Sequence, residues 1–270
     1  MNWRTTDMCY DISFTVDIRV LGDYFPDLIF DEQFSFDFDA GVHIIGHAYG
    51  NHPILFRNRD DQQLHCRLME WGCVPFYVKD IKTFVRQRAG MLNARSERIL
   101  GDESSYWYKI RNRRCLIPVN GVYEHRAIKG WKKKVPYFIT LRDQEMFFLP
   151  GLYSVTEVPD TDTGEMISLY SFTLITRGAN ATMKTIHNDG ENRFRMPLFL
   201  PRSLSEKWVS KETMTVEEYQ EILDYEMPSE NLEALPVYTI RSAKARPDNK
   251  AKNEAWEWEK LPALGEMNPE

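Results

Sequence analysis

The sequence predicts an α+β fold, a single domain with a mainly antiparallel, barrel-like sheet core and peripheral helices. Three observations carry that prediction. Short runs rich in β-branched and aromatic residues recur along the chain, each bounded by turn residues. Helical patterns are fewer and do not alternate with those runs, which argues against a doubly wound parallel sheet. No internal repeat and no linker rich in Gly, Ser or Pro divides the 270 residues, so one domain is expected.

The strand patterns fall at residues 63–69, 115–119, 137–141, 146–152, 169–176, 196–200 and 235–240. Between residues 80 and 89, Ile81, Phe84, Val85 and Arg88 share helical spacing, with Gly90 as a stop. Ser203 with Glu206, and Thr215 with Glu218, form capping-box patterns; the second opens a helix with Tyr219, Ile222 and Leu223 on one face. Asn120-Gly121 reads as a tight turn. Turn residues crowd positions 157–165 and 188–193, the expected loop insertions, and 243–253 reads as an irregular surface segment. The expected organisation is an extension over residues 1–7, a domain over 8–240 and a C-terminal tail over 241–270.

At 43% hydrophobic and 27% charged residues the chain is too apolar for a disordered protein. No apolar run approaches the roughly 18 residues of a membrane span, and Met1 to Asp7 lacks the apolar stretch of a secretory signal. Cys9, Cys66, Cys73 and Cys115 show no C-x-x-C spacing, so neither a zinc ribbon nor a disulfide framework is expected. A cytoplasmic chain with reduced thiols follows as the expectation. The net charge of −6 is unevenly spread: residues 79–142 carry 16 Lys and Arg against 5 Asp and Glu, a local +11 that leaves −17 elsewhere. The same stretch holds Phe84, Tyr106, Trp107, Tyr108, Tyr123, Trp131, Tyr137 and Phe138. Cations interleaved with aromatics suit single-stranded nucleic acid, where phosphates are paired and bases stacked. The plainer reading is a solvated basic face beside core aromatics.

Five places bear chemistry. Cys9 follows Met8, and a chain starting there would expose, after methionine removal, a cysteine with both a free α-amine and a thiol. Such a 1,2-aminothiol captures an aldehyde twice, as an imine and then as a thiazolidine; an α-amine with a pKa of about 8 is partly neutral at pH 7. Asn93-Ala-Arg95-Ser96 puts an amide, a guanidinium and a hydroxyl in one short stretch, fit to hold a carbonyl and clamp a phosphate, or else to turn the chain and cap a helix at Ser96. Glu124 follows an apolar strand, and a carboxyl beside apolar groups resists ionisation and suits proton transfer; an edge-strand surface glutamate is the alternative. His187 can exchange protons near neutral pH, although a lone histidine is more often structural. Trp71, in Trp71-Gly-x-x-Pro75, is a stacking platform or a core aromatic. His43, His47 and His52 lack a cysteine or carboxylate at metal spacing, so no metal site is expected.

These motifs occur in a fixed order: Met8-Cys9, Trp71-Gly-x-x-Pro75, Asn93-Ala-Arg-Ser-Glu97, Arg114-Cys-Leu-Ile-Pro118, Gly121-Val-Tyr-Glu124, Pro136-Tyr-Phe-Ile139, Phe172-Thr-Leu-Ile-Thr176, Ala179-Asn180 with Ile186-His187, and Arg195-Met-Pro197. The series resembles the SOS-response-associated peptidase (SRAP) family from Met8 to about Pro201, with weaker similarity to Val237. The resemblance implies a barrel-like α+β domain with a positively charged channel for single-stranded DNA. It implies protection of abasic sites in the DNA damage response through a thiazolidine DNA–protein crosslink. Position by position it makes Cys9 the nucleophile, Asn93 the residue holding the sugar hydroxyl and aldehyde, and Glu124 and His187 the proton-transfer groups. Arg95, with Ser96 and Arg195, would contact the DNA backbone, and Trp71 would support the strand. The implied partner is single-stranded DNA containing abasic sites; no cofactor, metal or membrane is implied, and the expected state is a cytoplasmic monomer, nucleoid-associated when bound. Three departures are visible: Tyr10 and Asp11 replace the glycine and arginine that usually follow the cysteine, residues 188–194 separate His187 from Arg195, and the Asn-Pro motif at 47–53 is degenerate. Two other classes remain: a non-catalytic single-strand DNA-binding module, and a thiol (auto)peptidase pairing Cys9 with His187.

In the chain as written the nitrogen of Cys9 is an amide, whose delocalised lone pair cannot form an imine. The working protein is therefore expected to begin at Cys9, by translation from Met8 or by cleavage of the first eight residues. Intact mass spectrometry of protein from its native cells should return the mass of a chain starting at Cys9; the mass of Met1 to Glu270 with crosslinking still efficient would overturn that expectation.

Overall fold

A computed structural model describes residues 10–31, 41–210, 213–241 and 245–265. In chain order the strands are β1 (Asp11–Phe14), β2 (Ile29–Phe30), β3 (Gly41–Ile45), β4 (Asn51–Arg57), β5 (Leu64–Trp71), β6 (Asn93–Arg95), β7 (Arg114–Val119), β8 (Gly121–Arg126), β9 (Val135–Leu141), β10 (Phe147–Pro159), β11 (Met166–Gly178), β12 (Arg195–Pro197) and β13 (Leu232–Pro236). The helices are α1 (Val20–Tyr24), α2 (Ile81–Arg88), α3 (Glu97–Leu100), α4 (Tyr106–Lys109), α5 (Ala181–Ile186), α6 (Arg202–Trp208) and α7 (Val216–Leu223). None of the described helices is long and apolar enough to cross a membrane.

Five strands close on themselves. The order β5-β4-β7-β10-β11 is antiparallel at each step, and a short parallel pairing of β11 with β5, Ser171 with Glu70 and Phe172 with Trp71, completes the ring. A second sheet runs β13-β9-β8-β1-β3. Alternation sends Ile54, Phe56, Ile117, Leu149, Phe172 and Leu174 to one core, shared with Val122, Tyr137 and Ile139 of the second sheet. The opposite faces, through Leu55, Leu116, Leu152 and Ile175, pack under Trp208, Tyr219, Ile222 and Leu223 of α6 and α7. The first core, termed the inner core, also takes Met183 and Ile186 of α5. The α+β, barrel-cored architecture is thus the one the sequence predicts.

Some local readings change. Strands β10 and β11 pair as far as Pro159 with Met166, so only residues 160–165 form the loop expected at 157–165. Val158 is buried with Val74, Val78 and Leu169, and that apolar contact outweighs the turn residues around it. Helix α6 begins at Arg202, with Pro201 before it and no side-chain cap, so Ser203 does not start it; Glu206 pairs instead with Arg202 at 2.8 Å. Ser96 likewise makes no cap bond. The Thr215–Glu218 box forms as read, with both reciprocal bonds present. Of the segment read as irregular surface at 243–253, the described residues 245–253 are irregular and mostly exposed, as read; Arg246 within them pairs with Asp248 and donates to the carbonyls of Ala251, Glu254 and Ala255.

Asn120-Gly121 is more than a turn, because β7 and β8 belong to different sheets. Asn120 makes the corner: its N–H donates to the Ser13 carbonyl at 2.8 Å, its amide nitrogen to the Glu145 carbonyl at 2.7 Å, and its amide oxygen accepts from the Thr15 N–H at 2.5 Å. Gly121 then passes so close to β9 that a Cβ there would lie 2.4 Å from the Phe138 ring and 2.9 Å from the Ile139 carbonyl oxygen. Gly121→Ala should cost about 1–3 kcal/mol by overpacking. Urea unfolding checks this, and an unchanged midpoint would show that Phe138 yields without cost.

Candidate functional site

Asn93 opens β6, which lies beside β11 with Asn93 in register with Leu174. Parallel neighbours at one register share a face, so Asn93 turns toward the inner core. Its side chain is 4% exposed, and neither amide atom has a hydrogen-bond partner among the described residues. Buried polar groups are nearly always satisfied, and one left unsatisfied costs free energy that a ligand could recover.

Glu124 reaches the same core from the second sheet. Val122 packs in the inner core, and two residues along a strand return to the same face, so Glu124 also points inward. It is buried, opposite Tyr137 across the ladder. The ladder between β8 and β1 runs from Ser13–Gly121 to Asp11–Tyr123 and heads toward Glu124, so the chain enters its first strand beside this carboxylate. Cys9 lies outside the described residues; Tyr10, the first described, accepts a bond from the Gly46 N–H at 2.7 Å.

His187 ends α5. Asn180 caps that helix, accepting from the Met183 N–H at 3.0 Å and donating to the Met227 carbonyl at 2.8 Å. Ile186 enters the inner core, and Asn188 makes two side-chain bonds to the backbone of Ala127, one residue past β8, at 2.9 and 3.0 Å. The histidine is thereby tied to the strand that carries Glu124. Its ring is buried, and Nδ1 sits 2.9 Å from the Arg195 carbonyl oxygen and 3.3 Å from the Arg195 backbone nitrogen. Nε2 has no partner among the described residues. Asn93, Glu124 and His187 thus come from β6, β8 and α5 to the border of one core.

Arg95, Ser96 and Arg195 gather around the end of β11. Strand β6 flanks it on one side and β12 on the other, with Thr176 between Arg95 and Pro197. Arg95 is exposed and donates to Asn192, a residue of the 188–194 segment, at 2.7 Å. Arg195 is committed inward, to Glu97 and to the Thr176 carbonyl. Burial raises the Glu97 carboxyl, but the Arg195 bond outweighs that and holds it below its ordinary value. Ser96 is buried, its N–H given to the Thr176 carbonyl at 2.8 Å.

Trp71 is not open to a base. It is 1% exposed, stacked on Phe172 with ring centroids 5.9 Å apart, and donates Nε1–H to the Leu92 carbonyl at 2.9 Å. It braces the residue before Asn93 from inside the core. Four of the aromatics interleaved with the basic stretch are also interior: Trp107, Tyr123, Tyr137 and Phe138. Open aromatic faces occur instead at Phe76 (46% exposed) and Tyr77 (58%), packed edge to face just after the Trp71-Gly-x-x-Pro75 motif, with Tyr106 beneath both. The sequence signal was their place beside Pro75 and Lys79, without apolar periodicity. Cys66, Cys73 and Cys115 are buried, and burial pushes their thiols up, that of Cys73 to about 12, so none is a competent nucleophile.

A group no motif announced lies where β1 begins. The buried carboxyl of Asp11 accepts from His43 Nε2 at 2.8 Å and from Arg241. Burial alone would raise this carboxyl, but the His43 bond and the Arg241 charge hold it below its ordinary value.

Fold and site together define a barrel-cored α+β protein with a buried amide, carboxylate and imidazole on the border of one core, the carboxylate beside the start of its first strand. The family model described as SOS response associated peptidase (SRAP) matches residues 32–241, and the chain belongs to that family. It is 33% identical over 168 residues to an abasic site processing protein of Saccharomyces cerevisiae, covering 59% of this chain and 40% of that one. It is 27% identical over 219 residues to the abasic site processing protein YoqW of Bacillus subtilis, covering 80% and 89%. The chain thus spans less than half of the yeast relative and most of the bacterial one. A crystal structure of a protein from Bacteroides thetaiotaomicron shares the fold with a TM-score of 0.71 at 24% identity, covering 91% of this chain and 97% of that one.

The Asp11 cluster makes a sign-definite prediction. A carboxyl held below the unfolded value contributes stability that is present above that value, 3.8, and is lost as pH falls through the lower folded value. Asp11→Asn should therefore cost about 2 kcal/mol at pH 7, the scale of a charge-assisted hydrogen bond, and progressively less below pH 3.8. Urea midpoints of parent and variant across that range check this; a difference independent of pH would show that Asp11 acts by shape alone.

Proposed function

We propose that this protein captures abasic sites in single-stranded DNA, in the DNA damage response, as a covalent thiazolidine on Cys9. The observation that carries the reading is the set of buried polar atoms of Asn93 and His187, without partners among the described residues, on the core border that Glu124 shares. Relatives in the family are named for abasic site processing, and an abasic sugar in its open form offers the aldehyde such a site can take. The Asn93 amide holds the sugar hydroxyl and the carbonyl oxygen. The α-amine of Cys9 adds to the aldehyde carbon, and Glu124 and His187 move the protons that release the oxygen as water and leave an imine. The thiol then adds across the imine and closes the ring, so one water is lost overall.

Arg95 pairs with backbone phosphate from its exposed position, Ser96 and Arg195 shape the strand that carries it, and Phe76 and Tyr77 give bases a surface on which to stack. Trp71 supports the strand only through Asn93. The route requires the chain that begins at Cys9, because the amide nitrogen of a longer chain cannot form the imine. That same amide is what favours the second reading, a module that binds single-stranded DNA without crosslinking it.

Incubating the protein that begins at Cys9 with an abasic single-stranded oligonucleotide, followed by a denaturing gel, tests this. A covalent shift abolished by Cys9→Ala is expected. Glu124→Gln should fold normally and crosslink about a hundredfold more slowly, and His187→Ala should slow imine formation or adduct reversal. Binding should fall steeply with salt as counterions are released, and Arg95→Ala should weaken it for every sequence. Binding without a covalent shift would leave the non-catalytic module, and cleavage of a generic peptide would favour the thiol peptidase.

A further inference from the structure

Arg126 ends β8 with its side chain 1% exposed. Among the described residues its guanidinium donates to three oxygens, none a carboxylate: the carbonyls of Pro262 at 2.7 Å and Ala263 at 3.2 Å, and the Tyr137 hydroxyl at 3.2 Å. Tyr137 is the cross-strand partner of Glu124, and residues opposite each other on a ladder share a face. Arg126 also lies two residues beyond Glu124, which returns it to that face. Guanidinium, phenol and carboxylate therefore lie on one face of β8 and β9.

The carbonyls that hold Arg126 come from far along the chain. After β13 the polypeptide folds back: the Trp256 N–H donates to the Pro236 carbonyl at 2.8 Å and Trp258 Nε1–H to the Val237 carbonyl at 3.0 Å. Trp258 lies against Trp131 with centroids 6.2 Å apart, and Leu261 packs on the inner core. This strap, residues 256–263, falls outside the stretch that the family model matches, 32–241. A buried guanidinium whose partners among the described residues are all neutral oxygens is a costly fastening for a strap, and an apolar side chain would serve at less cost. The charge has a use if a neighbouring carboxylate needs a fixed cation.

We propose that Arg126 is a positioning residue for Glu124, locked in place by the strap at 256–263, so that proton transfer in the site depends on a segment outside the family match. This rests on the crosslinking function proposed above. Arg126 sets the orientation and field of the Glu124 carboxylate without touching DNA. The strap carbonyls keep the guanidinium from swinging out to solvent, where water would screen it.

The test compares the protein that begins at Cys9 with Arg126→Met, Arg126→Lys, a form truncated after Ala255, and the truncated form also carrying Arg126→Met. Crosslinking rate is measured on an abasic oligonucleotide, and Kd by anisotropy on the same sequence without the abasic site. Arg126→Met should slow crosslinking by about tenfold to a hundredfold with Kd unchanged, and Arg126→Lys should recover part of the rate. Truncation should match the loss of Arg126→Met, and the combined form should lose no more than either, because both break one coupled unit. Where truncation lowers the melting temperature, the two Arg126 variants decide alone. An unchanged rate, a Kd weakened in proportion to the rate, or losses that multiply would each overturn the inference. A parent protein that forms no adduct overturns the functional reading and this inference with it, whereas an active parent with unaffected variants overturns the inference alone.

Discussion

The short parallel pairing of β11 with β5 is the contact on which the rest of the molecule depends. Every other step around the ring is antiparallel, and without the bonds near Ser171–Glu70 and Phe172–Trp71 the five strands would be an open, twisted sheet. Closure removes two edges and turns Trp71 and Phe172 face to face in the interior. Beyond that closure β11 continues to Gly178, and β6 and β12 attach to this overhang. Asn93 and the turn that carries His187 are therefore placed by one strand that has already been fixed at its other half.

The second sheet supplies what the barrel lacks. Val122, Tyr137 and Ile139 of that sheet pack in the same core as Ile54, Ile117 and Phe172 of the ring. The Asn120 corner leads the chain out of the ring after β7, and β8 then carries Glu124 back over the same core from the outside of the closure. The buried atoms of Asn93 and His187 have no partner among the described residues, and a well-packed surround is what sustains their cost.

How far the site was legible differs residue by residue. Asn93, Glu124 and His187 could be singled out because each follows a local break, at Gly90, at Asn120-Gly121 and before the polar insertion. That they meet could not be read from spacing, because the meeting depends on β11, Asn188 and the second sheet. Trp71 looked like a platform because a tryptophan before Gly is legible and its burial is not. The basic stretch at 79–142 looked like one face, yet Arg88 and Arg126 are interior and several of its aromatics are core. Composition counts charges; only packing decides which of them reach solvent.

By itself the sequence determined the fold class, the strands β5, β7, β9, β10 and β11, the Thr215 cap and the residues on which chemistry could rest. Those features are local: alternation, capping and turn chemistry act over a few residues and leave their mark in a few letters. The early strands β1, β3 and β4, the corner at Asn120, the Asp11–His43–Arg241 cluster and the clasp of Arg126 on Pro262 and Ala263 were decided by tertiary structure alone. Asp11 and Arg241 are 230 residues apart, Arg126 and Pro262 are 136 apart, and no short pattern encodes such a meeting. The physical reason is that a buried charge must find its partners wherever the closed fold brings them, and chain closure makes that choice after local structure has been spent.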